Sequence, residues 1–117
     1  IPIAEGYPAI DLLILGMGSD GHTASIFPHQ MELLERTNWC AVAVHPDSGQ
    51  KRVTLTGPVL NQAVQKHFLV TGSSKCEVLN QIIHAKDGYT DYPASHIHDA
   101  TWWLDNDAAA DIDITKV

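Results

Sequence analysis

The residues best suited to chemistry lie in one stretch, Gly16-Met17-Gly18-Ser19-Asp20-Gly21-His22. An imidazole exchanges protons near neutral pH, so His22 has the chemistry to draw a proton from a water molecule. A carboxylate two positions away, Asp20, can orient that ring or favour its charged form. Gly16, Gly18 and Gly21 allow positive φ and bring backbone N–H groups close to a ligand, which makes them candidate donors to a developing oxyanion. Taken alone, a histidine in such a loop is more often part of a polar surface turn. The spacing also matches G-x-G-x-x-G, but that dinucleotide fingerprint calls for an acid about twenty residues on, at the end of the next strand. The nearest acids, Glu32 and Glu35, precede Cys40 in a presumed helix, so no nicotinamide or flavin is expected.

Two further segments point to an anion. In Thr71-Gly72-Ser73-Ser74-Lys75 a glycine turn leads into a helix start, where free N–H groups, the helix dipole and a lysine together suit a phosphate. Gly72, Ser73, Ser74 and Lys75 are therefore candidate phosphate ligands. Arg52, entering the run Arg52-Val53-Thr54-Leu55-Thr56, has a guanidinium able to grip a phosphate bidentately. Each segment read singly is also compatible with a solvated surface. His96-x-His98 lacks a neighbouring carboxylate or thiolate, so no metal site is expected. The chain has no Gly-x-Ser-x-Gly elbow for a serine nucleophile.

These residues need elements to hold them. Ile10 to Leu15 is a short apolar run ended by Gly16, the pattern of a strand buried on both faces of a parallel sheet. Cys40 to His45 and Arg52 to Thr56 read as strands joined by the loop His45-Pro46-Asp47-Ser48-Gly49-Gln50. Pro28 to Arg36 reads as a short helix with Met31 and Leu34 on one side. Thr56 is placed to cap a helix with Pro58 in its first turn, and Ser74-x-x-Glu77 has the form of a capping box for a helix carrying Leu79, Ile82 and Ile83. Phe68 to Thr71 and Thr101 to Leu104 complete the strands, with Trp102 and Trp103 expected in the core, and Ala108 to Ala110 reads as a short helix. The expected fold is three-layer Rossmann-like α/β, a mostly parallel sheet flanked by helices, with room for an antiparallel hairpin over residues 40–56. Ligands of such sheets bind beyond the carboxyl ends of the strands, which directs attention to the loops after Leu15 and Thr71. Arg52 begins its strand, so it reaches that end only if the hairpin runs antiparallel or its loop folds over.

Composition narrows the function classes. Fourteen acidic against seven basic side chains in 117 residues make a net charge of −7, which disfavours nucleic acid and anionic membrane surfaces as partners. No apolar run approaches the ~20 residues that span a bilayer. Cys40 and Cys76 form no CxxC pair, and a reducing, cytoplasmic setting is the default. The acids concentrate after residue 86, where seven of them meet one base, leaving Arg52 and Lys75 in a nearly neutral region.

The segment Asp11 to Pro28 (DLLILGMGSDGHTASIFP) carries a likeness to a known family. It is extended by Arg52-Val53-Thr54-Leu55-Thr56, Pro58-Val59-Leu60-Asn61, Val70-Thr71-Gly72 with Lys75, Tyr92-Pro93-Ala94, and Trp102-Trp103-Leu104-Asp105 followed by Ala108-Ala109-Ala110. Taken in this order, the motifs resemble the glucosamine-6-phosphate isomerase/6-phosphogluconolactonase family. The isomerase/deaminase branch carries a Glu five residues after the loop histidine, whereas this chain has Phe27, and a phenyl ring cannot shuttle protons. The resemblance therefore implies hydrolysis of a sugar-phosphate lactone with His22 as general base, Asp20 orienting it, and Arg52 and Lys75 holding the phosphate. It implies no metal and no redox cofactor, and a small-molecule partner; the oligomeric state is left open. Members of the family run to roughly twice this length, so residues 1–117 are expected to form a single α/β unit, the C-terminal half of a larger catalytic domain whose N-terminal half contributes to the same cleft. The competing expectations are an isomerase/deaminase-like enzyme and a non-catalytic module that binds sugar phosphates.

Overall fold

The computed structural model of the protein describes residues 1–116. Its centre is a three-stranded parallel sheet in the order β3 (Leu12–Leu15), β6 (Gln65–Val70), β7 (Thr101–Leu104). The register pairs Leu15 with Phe68 and Phe68 with Trp102, and the last two rings stack at 4.0 Å with their planes 5° apart. Ahead of this sheet, β1 (Ile3–Ala4) and β2 (Tyr7–Pro8) form a small antiparallel ribbon. β4 (Cys40–Val44) and β5 (Lys51–Leu55) form the antiparallel hairpin expected from the sequence, with Ala43 opposite Arg52. The helices are α1 (Gly57–Gln62) and α2 (Cys76–Ile83).

One face of the sheet makes the core. Leu15, Phe68 and Val70 pack there against Leu60 of α1 and Val78 and Leu79 of α2, with Phe27, Leu33 and Ala108 filling in. Side chains alternate along a strand, so the neighbours of these residues point the other way. Leu12, Ile14, Leu69 and Trp103 are 54–59% exposed on that opposite face. The continuous apolar run of β3 thus reads as a strand covered on both sides, yet among the described residues only one side is covered. For the same reason Trp103 lies outside the core, its indole N–H donating to His67 Nδ1.

Several local expectations are corrected. Thr56 does occupy the position before α1, but its hydroxyl donates to the Asn38 and Trp39 carbonyls and makes no cap bond. α1 packs close because Gly57 has no side chain: a Cβ there would strike the Leu34 carbonyl. The capping box of α2 does not form either. A 3-10 turn, Ser73–Lys75, precedes the helix, and Lys75 stands at the cap position with no side-chain cap bond. Pro28–Leu34 is 3-10 rather than α-helical and is interrupted at Gln30; Leu33 is its buried residue, with Met31 and Leu34 only partly covered. Ala108 to Ala110 lies in a turn rather than a helix; there the Asp105 carboxylate accepts the Ala108 N–H and the Asp105 carbonyl accepts that of Ala109.

Candidate active site

β3 delivers the chain into a loop at its carboxyl end, and that loop opens a cleft of about 460 Å³ lined by Gly16, Met17, Gly18, His22, Ala24 and Lys75. The loop is closed by its own backbone. Gly18 N–H donates to the His22 carbonyl (3.0 Å), and Gly21 N–H donates to the Gly18 carbonyl (2.9 Å). The Thr23 hydroxyl donates to the Gly16 carbonyl (2.8 Å), tying the far side of the loop to the strand end. Gly18 lies so near the imidazole that a Cβ there would overlap His22 Nδ1 and Cε1. Gly21 sits at φ +81°, a region glycine adopts without strain.

His22 and Asp20 form a pair through His22 Nδ1 and Asp20 Oδ1, 2.6 Å apart. The same oxygen accepts the backbone N–H of His22 at 3.0 Å. Burial pushes the Asp20 carboxyl up, but the backbone N–H and ring of His22 outweigh it and hold the group below the usual carboxylate range. A carboxylate at Nδ1 favours the tautomer with its proton there, which leaves Nε2 as the acceptor. The ring rests against Phe27 at 4.8 Å between centroids, and Phe27 is fully buried.

The other sequence candidates are only partly gathered. Lys75 reaches the cleft from the start of α2, where its ammonium donates to the Met17 carbonyl, 58 residues away in sequence. Arg52 lies on the hairpin, outside the lining of this cleft. Its Nε donates to Gln50 Oε1 (3.2 Å) and its guanidinium carbon stands 6.0 Å from the Phe27 ring centre. Phe27 therefore has His22 on one side and Arg52 within reach of the same ring. Ser73 and Ser74 are exposed.

Three backbone donors expected to serve a ligand are already occupied. The Gly72 N–H donates to both oxygens of Asp105 (3.1 and 3.3 Å), which places a carboxylate where a phosphate was expected. The N–H groups of Gly18 and Gly21 are spent within the loop, which removes these two glycines as oxyanion donors. The sequence contains a signal for this in Asp105, but its partner lies 33 residues away.

Other reactive groups stay apart from the cleft. Cys76's thiol is pushed up, by desolvation first and by Asp111 next, the opposite of an activated thiolate. His96 Nε2 donates to the Thr90 carbonyl and the backbone N–H of His98 donates to Asn61 Oδ1, which fixes that segment to α1. Among the described residues no group of three His, Cys, Asp or Glu is arranged to hold a metal ion, and no helix is long and apolar enough to cross a membrane.

Residues 2–104 match the model of the family described as glucosamine-6-phosphate isomerases/6-phosphogluconolactonase. A curated 6-phosphogluconolactonase of Treponema pallidum is 46% identical over 93 residues, which is 80% of this chain and 38% of that protein. The 6-phosphogluconolactonase of Aggregatibacter actinomycetemcomitans is 43% identical over 92% of this chain and 47% of its own length. A crystal structure described as devB protein superposes with a TM-score of 0.88 at 44% identity, covering 97% of this chain and 49% of that one. The chain thus spans about half the length, or less, of the relatives it matches.

Proposed function

Because the chain belongs to the glucosamine-6-phosphate isomerase/6-phosphogluconolactonase family, we propose that it takes part in hydrolysing 6-phosphoglucono-1,5-lactone to 6-phosphogluconate, with His22 as general base. The observation that carries this reading is the His22–Asp20 pair facing a cleft at the carboxyl end of a parallel sheet, with the cationic Lys75 on the same cleft. As part of the proposal, residues 1–117 are the C-terminal half of the catalytic domain, and the setting is cytosolic, consistent with two free cysteines.

The chemistry runs in two proton transfers. Nε2 of His22 takes a proton from a water whose oxygen attacks the C1 carbonyl, and the carbonyl oxygen becomes an oxyanion. Collapse of this tetrahedral species breaks the bond between C1 and the ring oxygen, and the imidazolium returns the proton to that oxygen. The product is the open-chain acid, which ionises in water. Asp20 keeps the imidazole in the required tautomer and stabilises its transient positive charge. General-base help of this kind is worth ~10²- to 10⁴-fold. Lys75 and Arg52 hold the 6-phosphate, fixing the distance from anchor to carbonyl.

Phe27 supports the lactonase branch over isomerisation. It is buried and apolar at the position where ring opening would want a second proton carrier. The experiment is hydrolysis of freshly prepared lactone by the complete native chain, both halves of the catalytic domain included, measured against the spontaneous rate. Binding of 6-phosphogluconate without turnover would replace this reading with that of a sugar-phosphate binding module.

A further inference from the structure

Against the Asp20-Gly21-His22 turn, and outside the lining of the cleft, stands Tyr92. Its Cβ and ring press directly on the α-carbon of Gly21: a Cβ on Gly21 would lie 2.5 Å from Tyr92 Cδ1 and 2.7 Å from Tyr92 Cβ. The next residues add a backbone tie, since Ala94 N–H donates to the Gly21 carbonyl at 3.0 Å. The phenol is itself anchored. Its hydroxyl donates to Gln81 Oε1 on α2, and Ser95 Oγ donates to the Tyr92 carbonyl at 2.7 Å. Pro93 and Ala94 are buried, so this segment has a rigid seat in the core.

The contact falls on the one residue between the members of the acid–base pair. Gly21 links Asp20 to His22 at positive φ, and its freedom to move would be the freedom of both side chains. A glycine joint of this kind needs external support to hold a single geometry. From these contacts we propose that Tyr92 is a positioning residue: its ring, fixed to α2 through Gln81, holds Gly21 and thereby the geometry of Asp20 against His22. The inference rests on the reading of His22 as general base, while the geometry it predicts at His22 can be read without turnover.

The test compares Tyr92→Leu, Tyr92→Phe and Gln81→Leu with the native protein. In Tyr92→Leu, kcat falls toward the ~10²-fold that a misplacement of about 1 Å costs, with KM unchanged. Tyr92→Phe keeps the ring on Gly21 and recovers most of that loss, and its residual defect matches that of Gln81→Leu and does not add to it in the double variant. The pH profile of kcat shifts in Tyr92→Leu, and the NMR signal of the His22 Nδ1 proton, held by Asp20, moves or broadens. A folded Tyr92→Leu variant with native kcat, native pH profile and an unmoved His22 signal overturns the proposal. Should Tyr92→Leu fail to fold, Tyr92→Phe and Gln81→Leu carry the test through the same NMR signal, and no change in either overturns it. If the native protein does not hydrolyse the lactone, the functional reading fails by itself, and the His22 signal in the variants then decides the positioning role.

Discussion

His22 Nδ1 lies 2.6 Å from Asp20 Oδ1, and the backbone N–H of the same histidine donates to the same oxygen. One carboxylate oxygen thus fixes both where the residue sits and which ring nitrogen is left free. The glycine between the two residues makes this double attachment possible, because the chain has to turn back through φ +81° to bring ring and carboxylate together.

Asp20→Asn leaves the shape of the turn but removes the charge. The amide can present its NH₂ to Nδ1, favouring the wrong tautomer, so kcat drops by at least about tenfold with little change in KM. Stability responds as well, with a definite sign. The folded Asp20 carboxyl is depressed below its ordinary value of 3.8, so its stabilisation is present above that value and is lost as pH falls through the lowered one. The side chain is 42% exposed, which limits the effect to about 0.2–1 kcal/mol. Thermal melts of native protein and variant should differ at neutral pH and converge in acid.

Gly18→Ala and Gly57→Ala separate catalysis from packing. At Gly18 the new methyl group meets the imidazole of His22, which can swing away at the cost of its position. The expected outcome is a folded protein with reduced kcat. At Gly57 the methyl meets the Leu34 backbone carbonyl, which cannot swing, and overpacking of this kind costs about 1–3 kcal/mol. Denaturant unfolding measured beside turnover checks both, and equal loss of stability in the two variants would contradict the distinction.

Lys75→Met and Arg52→Ala test the phosphate anchor. Hydrogen bonds to charged groups contribute about 1.5–3 kcal/mol, so each variant should raise KM by roughly 10- to 100-fold. Lys75→Met also frees the Met17 carbonyl, so kcat falls with it, whereas Arg52 holds no part of the loop and its variant keeps kcat. Unchanged KM in both would remove the phosphate anchor from the account.

The parallel strands and the hairpin were legible because each is a short apolar or alternating run bounded by glycine, proline or polar turns, and local patterns of that kind survive folding. The glycine-rich loop was legible for the same reason. What stayed hidden depends on partners distant in sequence. Nothing near Gly72 says that its N–H will be taken by Asp105, and nothing near Thr56 says that its hydroxyl will turn to Asn38. Lys75 looked free for an anion until the fold placed Met17 beside it. In the sequence Tyr92 stands out only within the motif Tyr92-Pro93-Ala94, and only the approach of its ring to Gly21 connects it with the acid–base pair. The open face bearing Leu12 and Ile14 was also invisible, since an apolar run does not say how many of its sides are covered.

The central claim is that the His22 imidazole takes the proton from water. Its most direct test is the turnover of freshly prepared 6-phosphoglucono-1,5-lactone by His22→Ala beside the native protein. The account predicts a loss of about 10²- to 10⁴-fold in kcat, with KM little changed because the phosphate anchors remain. Turnover by the variant at the native rate would contradict it.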